Sequence, residues 1–203
     1  MRSPQKSARE RILETADDLF YREGIHAVGI DTIIEKSGVA KMSLYRSFAS
    51  KDDLVAAYLE ARGQRYWQWW DGVMARNANE PRRQLPDLFE AIAIRARRPG
   101  FRGCAFLKAA AEFPEECARA RVVALAHKRE LKKRLLKLCR TIGAHQPDVL
   151  SNQLLMLIEG AYSTAGILGK RDAVKATAKA AEALIDAAIA RSLRGWPQSS
   201  EAD

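Results

Sequence analysis

The sequence predicts an all-helical protein. Apolar side chains recur at three- and four-residue spacing along most of the 203 residues, which is the pattern of amphipathic helices. Glycines and prolines separate these stretches. The segment 28–34 is rich in β-branched residues, but no second strand-like segment lies near it in the chain, so we interpret it as helix. We therefore expect about nine helices, three in a small N-terminal group and the rest in a larger helical domain.

The first helix is expected to begin just after Ser7. Ser7 and Glu10 have the spacing of a capping box, in which a hydroxyl and a carboxylate satisfy free N–H groups at a helix start. Apolar residues then recur at helical spacing up to Phe20, and Gly24 is expected to cap the C-terminus.

Two short helices and one long helix are expected next. The short ones cover about 30–36 and 41–47, and the break between them falls at Gly38. A second capping-box pattern begins at Ser50 and opens a long helix that reaches the tryptophan cluster ending at Trp70. The remaining helices are expected at about 84–98, 103–112, 115–141, 147–168 and 172–193.

The composition is that of an ordinary globular protein, with 47% hydrophobic and 29% charged residues. No apolar run approaches the roughly 20 residues that span a bilayer, and the polar start of the chain does not resemble a signal peptide. Three cysteines without a Cys-x-x-Cys spacing are expected to be free thiols in a reducing cytoplasm.

The net charge of +9 is concentrated in the middle of the chain. Residues 61–141 hold 19 lysines and arginines against 8 acids, whereas the segments on either side are each close to neutral. A basic protein often binds nucleic acid, but this distribution does not show where.

The most informative segment is residues 24–54. Two short helices joined by a tight glycine turn, with a third helix before them, form a helix-turn-helix, whose second helix is short enough to enter a major groove. The sequence GVAKMSLYRSFASKDDL resembles the DNA-binding signature of the TetR family of transcriptional regulators. It keeps every anchor of the family pattern Gly-Val-x-x-x-(Ser/Thr)-Leu-Tyr-x-x-Phe-x-x-Lys-(Glu/Asp)-x-Leu. Its apolar members Val39, Leu44, Phe48 and Leu54 are expected to pack the small core.

The resemblance implies a domain order and a function. Residues 1–52 would form the helix-turn-helix domain, 53–195 a ligand-binding and dimerisation domain, and 196–203 a polar tail. The last two helices, about 147–168 and 172–193, would form a four-helix bundle with a second copy of the chain. The dimer would be a cytoplasmic repressor that binds a near-palindromic operator on double-stranded DNA and is released by a small-molecule effector.

Six residues are expected to contact DNA. Lys41, Met42 and Ser43 begin the second helix of the motif, where side chains reach base edges. Lys41 suits guanine O6 and N7, Met42 a thymine methyl group, and Ser43 a base or a phosphate. Tyr45 and Lys51 match positions that contact phosphate in the family. The full set is Lys41, Met42, Ser43, Tyr45, Arg46 and Lys51.

Two residues depart from the family pattern, and the role of a third is open. Gly29 stands where the family often has a capping Ser or Thr. Asp31 stands where the family often presents a polar residue that reads a base or a phosphate. A carboxylate beside phosphates is unfavourable unless it accepts from cytosine N4 or caps its own helix, and we favour capping. Arg46 could contact DNA or pair with a surface acid.

The resemblance implies an effector pocket lined by a set of largely aromatic residues, which lie on helices that commonly enclose the pocket in the family. Aromatic walls with few polar groups suit a small amphipathic or apolar ligand. For each aromatic residue, core packing is the alternative. We expect His127 to be exposed on a basic helix, and Lys108 to matter only if it is buried. The candidates are Trp67, Trp70, Phe89, Cys104, Phe106, Lys108, His127 and Tyr162.

Other functions are less well supported by the sequence. A thiol-based redox regulator would use Cys104 or Cys117, and a helical ligand-binding adaptor without DNA function would not need Lys41, Tyr45 and Lys51. The chain has no nucleophile elbow, phosphate-binding loop, zinc-protease or dinucleotide-binding motif. Its histidines and cysteines lack metal-ligand spacing. We therefore expect no enzyme activity, metal or cofactor.

Overall fold

A computed structural model describes residues 6–115, 118–167 and 172–193, with side chains for 6–115, 118–165 and 176–190. In these residues the protein is all-helical, as predicted, and contains no strand. None of the described helices is long and apolar enough to cross a membrane. The helices are α1 (Ala8–Glu23), α2 (Ile30–Ser37), α3 (Lys41–Ser47), α4 (Lys51–Ala75), α5 (Pro81–Ala96), α6 (Ala105–Glu112), α7 (Arg119–Thr141), α8 (Pro147–Ile167) and α9 (Asp172–Leu193).

The chain folds into two compact units. The first contains the chain up to Trp67 together with residues 104–128, and the second contains residues 68–103 and the chain from Arg129 onwards. The helix-turn-helix thus shares its unit with α6 and with the first part of α7. The functional boundary expected near residue 52 stays a prediction, and the tail expected at 196–203 lies outside the described residues.

The capping box expected at the start of α1 is confirmed, and the start of α4 shows the hydroxyl half of the box expected there. Ser7 Oγ accepts from the Glu10 N–H at 3.2 Å, and a Glu10 carboxylate oxygen accepts from the Ser7 N–H at 2.8 Å. These hydrogen bonds lower the pKa of the Glu10 carboxyl. At α4, Ser50 Oγ accepts from the Asp53 N–H at 3.1 Å. Both helix starts therefore satisfy N–H groups that the helices leave free.

The helix-turn-helix is built on one apolar core. In α1 the residues Ile12, Ala16, Leu19 and Phe20 face inward, and α2 and α3 pack against this face. The core of this unit contains all four residues of the motif that were predicted to be buried, namely Val39, Leu44, Phe48 and Leu54.

The turn between α2 and α3 depends on Gly38. Its φ of 62° lies in the left-handed region, and its N–H donates to the Ile34 and Glu35 carbonyls. A Cβ at this position would lie 3.0 Å from Nη2 of Arg11. The position therefore disfavours any larger residue, both by backbone strain and by crowding.

Gly38→Ala should lower the free energy of unfolding by about 1–2 kcal/mol, the cost of a left-handed conformation in an L-residue. Urea denaturation measures the change. The matched control is Gly72→Ala, because Gly72 lies in α4 and a Cβ there meets nothing within 4 Å. The control should be neutral or slightly stabilising. Equal destabilisation of both variants would contradict the role of the turn.

The second unit packs α5, α8 and α9 against one another. Two helix starts differ from the prediction by three residues or more. The helix expected from 84 begins at Pro81, because a proline is favoured at the first helical position. The helix expected from 115 begins at Arg119. Phe113 ends α6 with φ −121° and ψ 85°, outside the helical region, because a following proline disfavours helical backbone.

Candidate nucleic-acid interface and effector residues

The exposed face of α3 is the candidate DNA-reading surface. Leu44 is fully buried and fixes the helix to the core, while Met42 and Tyr45 are 67% and 47% exposed. Lys41 and Arg46 are exposed as well, and Ser43 is half-buried. A short helix held on its inner side and covered outside with basic, aromatic and apolar groups has the chemistry needed to enter a major groove.

Asp31 has a different partner from the one expected. The N-cap position of α2 is Gly29, which has no side chain to cap the helix. The Asp31 carboxylate instead accepts from the Lys41 ammonium at 3.4 Å. Its position in the first turn of α2 is still favourable, because a negative charge there complements the helix dipole.

Lys51 is the first residue of α4 and is half-buried. Burial lowers the pKa of its ammonium group, and the nearby carboxylates of Glu112 and Asp52 oppose that effect. A cation at a helix start, where N–H groups also point outward, suits a phosphate.

Arg11 is a positioning residue that sequence reasoning missed. Its guanidinium donates to the Ser37 carbonyl at 2.6 Å and to the Gly38 carbonyl at 2.9 Å. These bonds join α1 to the turn that precedes α3. No local pattern could have indicated this contact, because the partners are backbone atoms 26 and 27 residues away.

His127 is buried, so the expectation that it is exposed is wrong. Its ring stacks on Phe106 with centroids 3.7 Å apart, and the rings of Trp67 and Tyr66 lie 4.7 and 5.0 Å away. The cause is the helical repeat: the buried residues Ala120, Ala124, Leu131 and Leu135 place His127 on the inner face of α7. The sequence contained that spacing, but the basic residues that follow His127 favoured an exposed position instead.

Lys108 and Cys104 also lie in the first unit. The Lys108 ammonium is half-buried and donates to the Tyr21 carbonyl at 2.7 Å, which ties α6 to α1. The Lys128 ammonium lies 3.2 Å from Cys104 Sγ, and the thiol is half-buried. Cys139 is buried, and burial raises the pKa of its thiol to about 12. Cys117 lies outside the described residues.

The remaining effector candidates belong to the second unit. Phe89 is fully buried, and Trp70 and Tyr162 are 3% and 5% exposed. The Tyr162 ring lies 5.3 Å from that of Phe101. Their burial fits a core as well as a pocket wall, so their role as ligand contacts stays a prediction.

The helix-turn-helix and its exposed α3 define a DNA-binding transcriptional regulator of the helix-turn-helix class. The model of the family described as "Bacterial regulatory proteins, tetR family" matches residues 12–58. A TetR-family regulator from Streptomyces coelicolor is 31% identical, with 90% of this chain and 96% of that chain covered and a TM-score of 0.86. A regulator from Streptomyces avermitilis is 32% identical, with 90% and 98% covered and a TM-score of 0.77. The chain therefore belongs to the TetR family of transcriptional regulators.

Two curated relatives match over shorter segments. The transcriptional activator FasR of Mycolicibacterium smegmatis is 39% identical over 59 residues, which are 29% of this chain and 27% of the relative. The uncharacterised regulator YxaF of Bacillus subtilis is 46% identical over 48 residues, which are 23% of this chain and 25% of the relative. The match thus spans about a quarter of the length of either relative.

Proposed function

We propose that this regulator is a homodimeric repressor acting in the cytoplasm, which binds a near-palindromic operator and is released from it by a small-molecule effector. The observation that carries the proposal is the arrangement of α3, whose inner side is fixed by Leu44 and whose outer side exposes Lys41, Met42, Tyr45 and Arg46. Two such helices about 34–36 Å apart would meet successive major grooves on one face of DNA.

The outer faces of α8 and α9 support the dimer. Val149 and Met156 lie two turns apart on α8 and are 47% and 64% exposed. On α9, Ala183 and Ala187 are exposed one turn apart. Large apolar groups on one helix and small ones on its neighbour allow close packing against a second copy. The bundle expected from the family resemblance uses these same two helices.

Ion pairs between Asp17 of α1 and two arginines of α4 support a mechanism in which α4 moves the helix-turn-helix, the reading head of each subunit. Asp17 of α1 accepts from Nε and Nη2 of Arg62 at 2.8 and 3.0 Å and from Nη2 of Arg65 at 2.6 Å. Any tilt of this part of α4 should therefore move the helix-turn-helix with it. In the proposed mechanism an effector tilts α4 and moves the two helix-turn-helix domains of the dimer apart, out of register with the DNA grooves. It releases DNA only if it binds this splayed dimer more tightly than the DNA-bound form.

The aromatic cluster around His127 is the proposed effector contact in the first unit. Trp67 and Phe106 lie against the imidazole, and Gly63 of α4 keeps a Cβ-sized space beside it, where an added Cβ would lie 3.7 Å from Nδ1. A planar apolar ligand with one polar group would suit such a lining. Binding there would act directly on α4.

Selection of a random duplex pool by the purified protein at two salt concentrations tests the proposal. We expect enrichment of one near-palindrome and an affinity that falls steeply with salt. Salt-sensitive binding without enrichment would contradict sequence-specific regulation. Binding of no duplex would favour the adaptor alternative. A reporter gene controlled by the selected operator then distinguishes repression from activation. Loss of a repressor should raise reporter expression, whereas lowered expression would indicate an activator.

Lys51→Ala should weaken binding to every duplex by a similar factor, because the residue is expected to contact phosphate. The slope of log affinity against log salt should become shallower by about 0.9 per subunit. Titration of the selected operator and of an unrelated duplex at several salt concentrations measures both effects. Lys132→Ala, an exposed lysine of α7, is the control and should leave the slope unchanged. A change in base preference without a change in slope would contradict the assignment.

A thiol-responsive regulator is the second candidate, favoured by the Lys128 ammonium 3.2 Å from Cys104 Sγ. If this candidate is correct, peroxide should weaken operator binding by the native protein and have no effect on Cys104→Ser. Cys139→Ser is the control, because its thiol is buried and should not respond. Operator binding by the native protein that peroxide leaves unchanged would contradict this candidate.

A further inference from the structure

An acidic side chain in the first turn of α2 lies beside a basic side chain in the first turn of α3. The Lys41 ammonium lies 3.4 Å from the Asp31 carboxylate, and the two side chains are 63% and 87% exposed. So exposed an ion pair adds little to the stability of the fold. A separation of 3.4 Å is also beyond the usual range of a strong N–H···O hydrogen bond. Each group can therefore exchange its partner for another at small cost.

Asp31 is unsuited to contact with the DNA backbone. Binding that does not depend on sequence comes from cations that neutralise phosphates, and a carboxylate at the same surface opposes it. Such a carboxylate favours binding only where a base edge donates a hydrogen bond to it. The base group that aspartate accepts from in the major groove is the N4 amino group of cytosine.

We propose that Asp31 and Lys41 together read one C·G base pair of the operator, with Asp31 accepting from cytosine N4 and Lys41 donating to guanine O6 and N7. This inference rests on the proposed function, because it requires the start of α3 to lie in the major groove. It makes Asp31 a specificity-determining residue of α2, outside the reading helix itself.

The order of groups on the base-pair edge matches the pair of side chains. Across the major groove a C·G pair presents one donor, cytosine N4, followed by two adjacent acceptors, guanine O6 and N7. Lys41 has three N–H donors for the two acceptors, and Asp31 beside it supplies the acceptor. An A·T pair places its donor between its two acceptors and adds the thymine methyl group. The adjacent acceptors that Lys41 needs are then missing.

The test uses the full-length protein with Asp31→Ala, Lys41→Ala and the double substitution. Pool selection identifies the operator, and titration of duplexes with each base pair replaced in turn gives the preference at every position. Both single variants should lose about 5- to 150-fold of discrimination at the same C·G position and keep the remaining preferences. The double variant should lose discrimination at that same position and at no other, because both residues act on one base pair.

A second readout separates base reading from a structural role. Asp31→Ala should bind unrelated duplexes more tightly than the native protein, because a negative charge has left the surface that meets phosphates. Glu35→Ala removes an exposed acid from the same helix and is the control, which should leave every base preference unchanged. A variant that had merely lost its fold would bind all duplexes more weakly.

Three results would overturn this inference and leave the proposed function intact, provided that the native protein selects a near-palindrome. These are relaxation of two different positions by the two single variants, relaxation of an A·T position, and an unchanged preference in Asp31→Ala. If the native protein enriches no sequence at either salt concentration, the inference fails together with the proposed function.

Discussion

A variant carrying both Val149→Glu and Met156→Glu should be monomeric at concentrations at which the native protein is a dimer. The two residues are the large apolar side chains that α8 exposes among the described residues. In the proposed four-helix bundle they would lie between the subunits, and the variant would place four carboxylates there. Burying unpaired charges is costly, so the variant should not associate. Sedimentation at several protein concentrations measures the change.

The loss of the dimer should lower operator affinity by about 10²- to 10⁴-fold. In a dimer, binding of the first reading head holds the second at a high effective concentration near its half-site, and a monomer loses that advantage. Titration of the selected operator and of a single half-site measures it. The variant should lose affinity for the operator and keep most of its affinity for the half-site.

The matched control is the double variant Val122→Glu and Leu125→Glu. These residues lie on α7 and are 53% and 47% exposed, so the chemical change and the exposure are closely comparable. This control should remain dimeric and bind the operator normally. Dissociation of the control, or a dimeric α8 variant, would contradict an interface through α8 and α9.

Sequence reasoning predicted the parts of the fold that depend on local patterns. The helical repeat, the capping pairs Ser7–Glu10 and Ser50–Asp53 and the glycine turn at Gly38 are all properties of residues close together in the chain. The four apolar anchors of the motif were likewise identified, because their spacing defines an inner face. The resemblance to the TetR family indicated the α3 residues that are expected to contact DNA, because the family motif also fixes positions that are close together in the chain.

The remaining contacts join residues that are far apart in the chain. Lys128 reaches Cys104 across 24 residues, Arg11 reaches the α2–α3 turn across 26, and Arg62 reaches Asp17 across 45. No repeat or spacing encodes these pairs, because they depend on how helices pack. Asp31 and Lys41 are only ten residues apart, yet their contact depends on the turn geometry set by Gly38. Such pairs orient the candidate site, and the structure is needed to find them.

Leu44→Ala should lower the free energy of unfolding by about 2–5 kcal/mol, because it removes a fully buried side chain and leaves a cavity. For a chain of this size the melting temperature should decrease by between about 4 and 20 °C. The matched control is Leu107→Ala on α6, where the side chain is 39% exposed. The same substitution there should change stability by less than about 1 kcal/mol. Equal melting temperatures for both variants would contradict the anchoring role of Leu44.

Leu44→Ala should weaken operator binding even at temperatures at which the protein as a whole remains folded. At seven residues α3 is too short to be helical without packing, and Leu44 is its buried side chain. We therefore expect the α3 amides of the variant to exchange hydrogen with solvent much faster than those of α1, at temperatures well below the melting point. Operator affinity should fall in proportion to the fraction of molecules in which α3 is formed. If hydrogen exchange in α3 is unchanged but DNA binding is lost, Leu44→Ala acts by displacing an intact α3. We do not expect this result, because Val39 and Phe48 on either side of α3 are held in the same core.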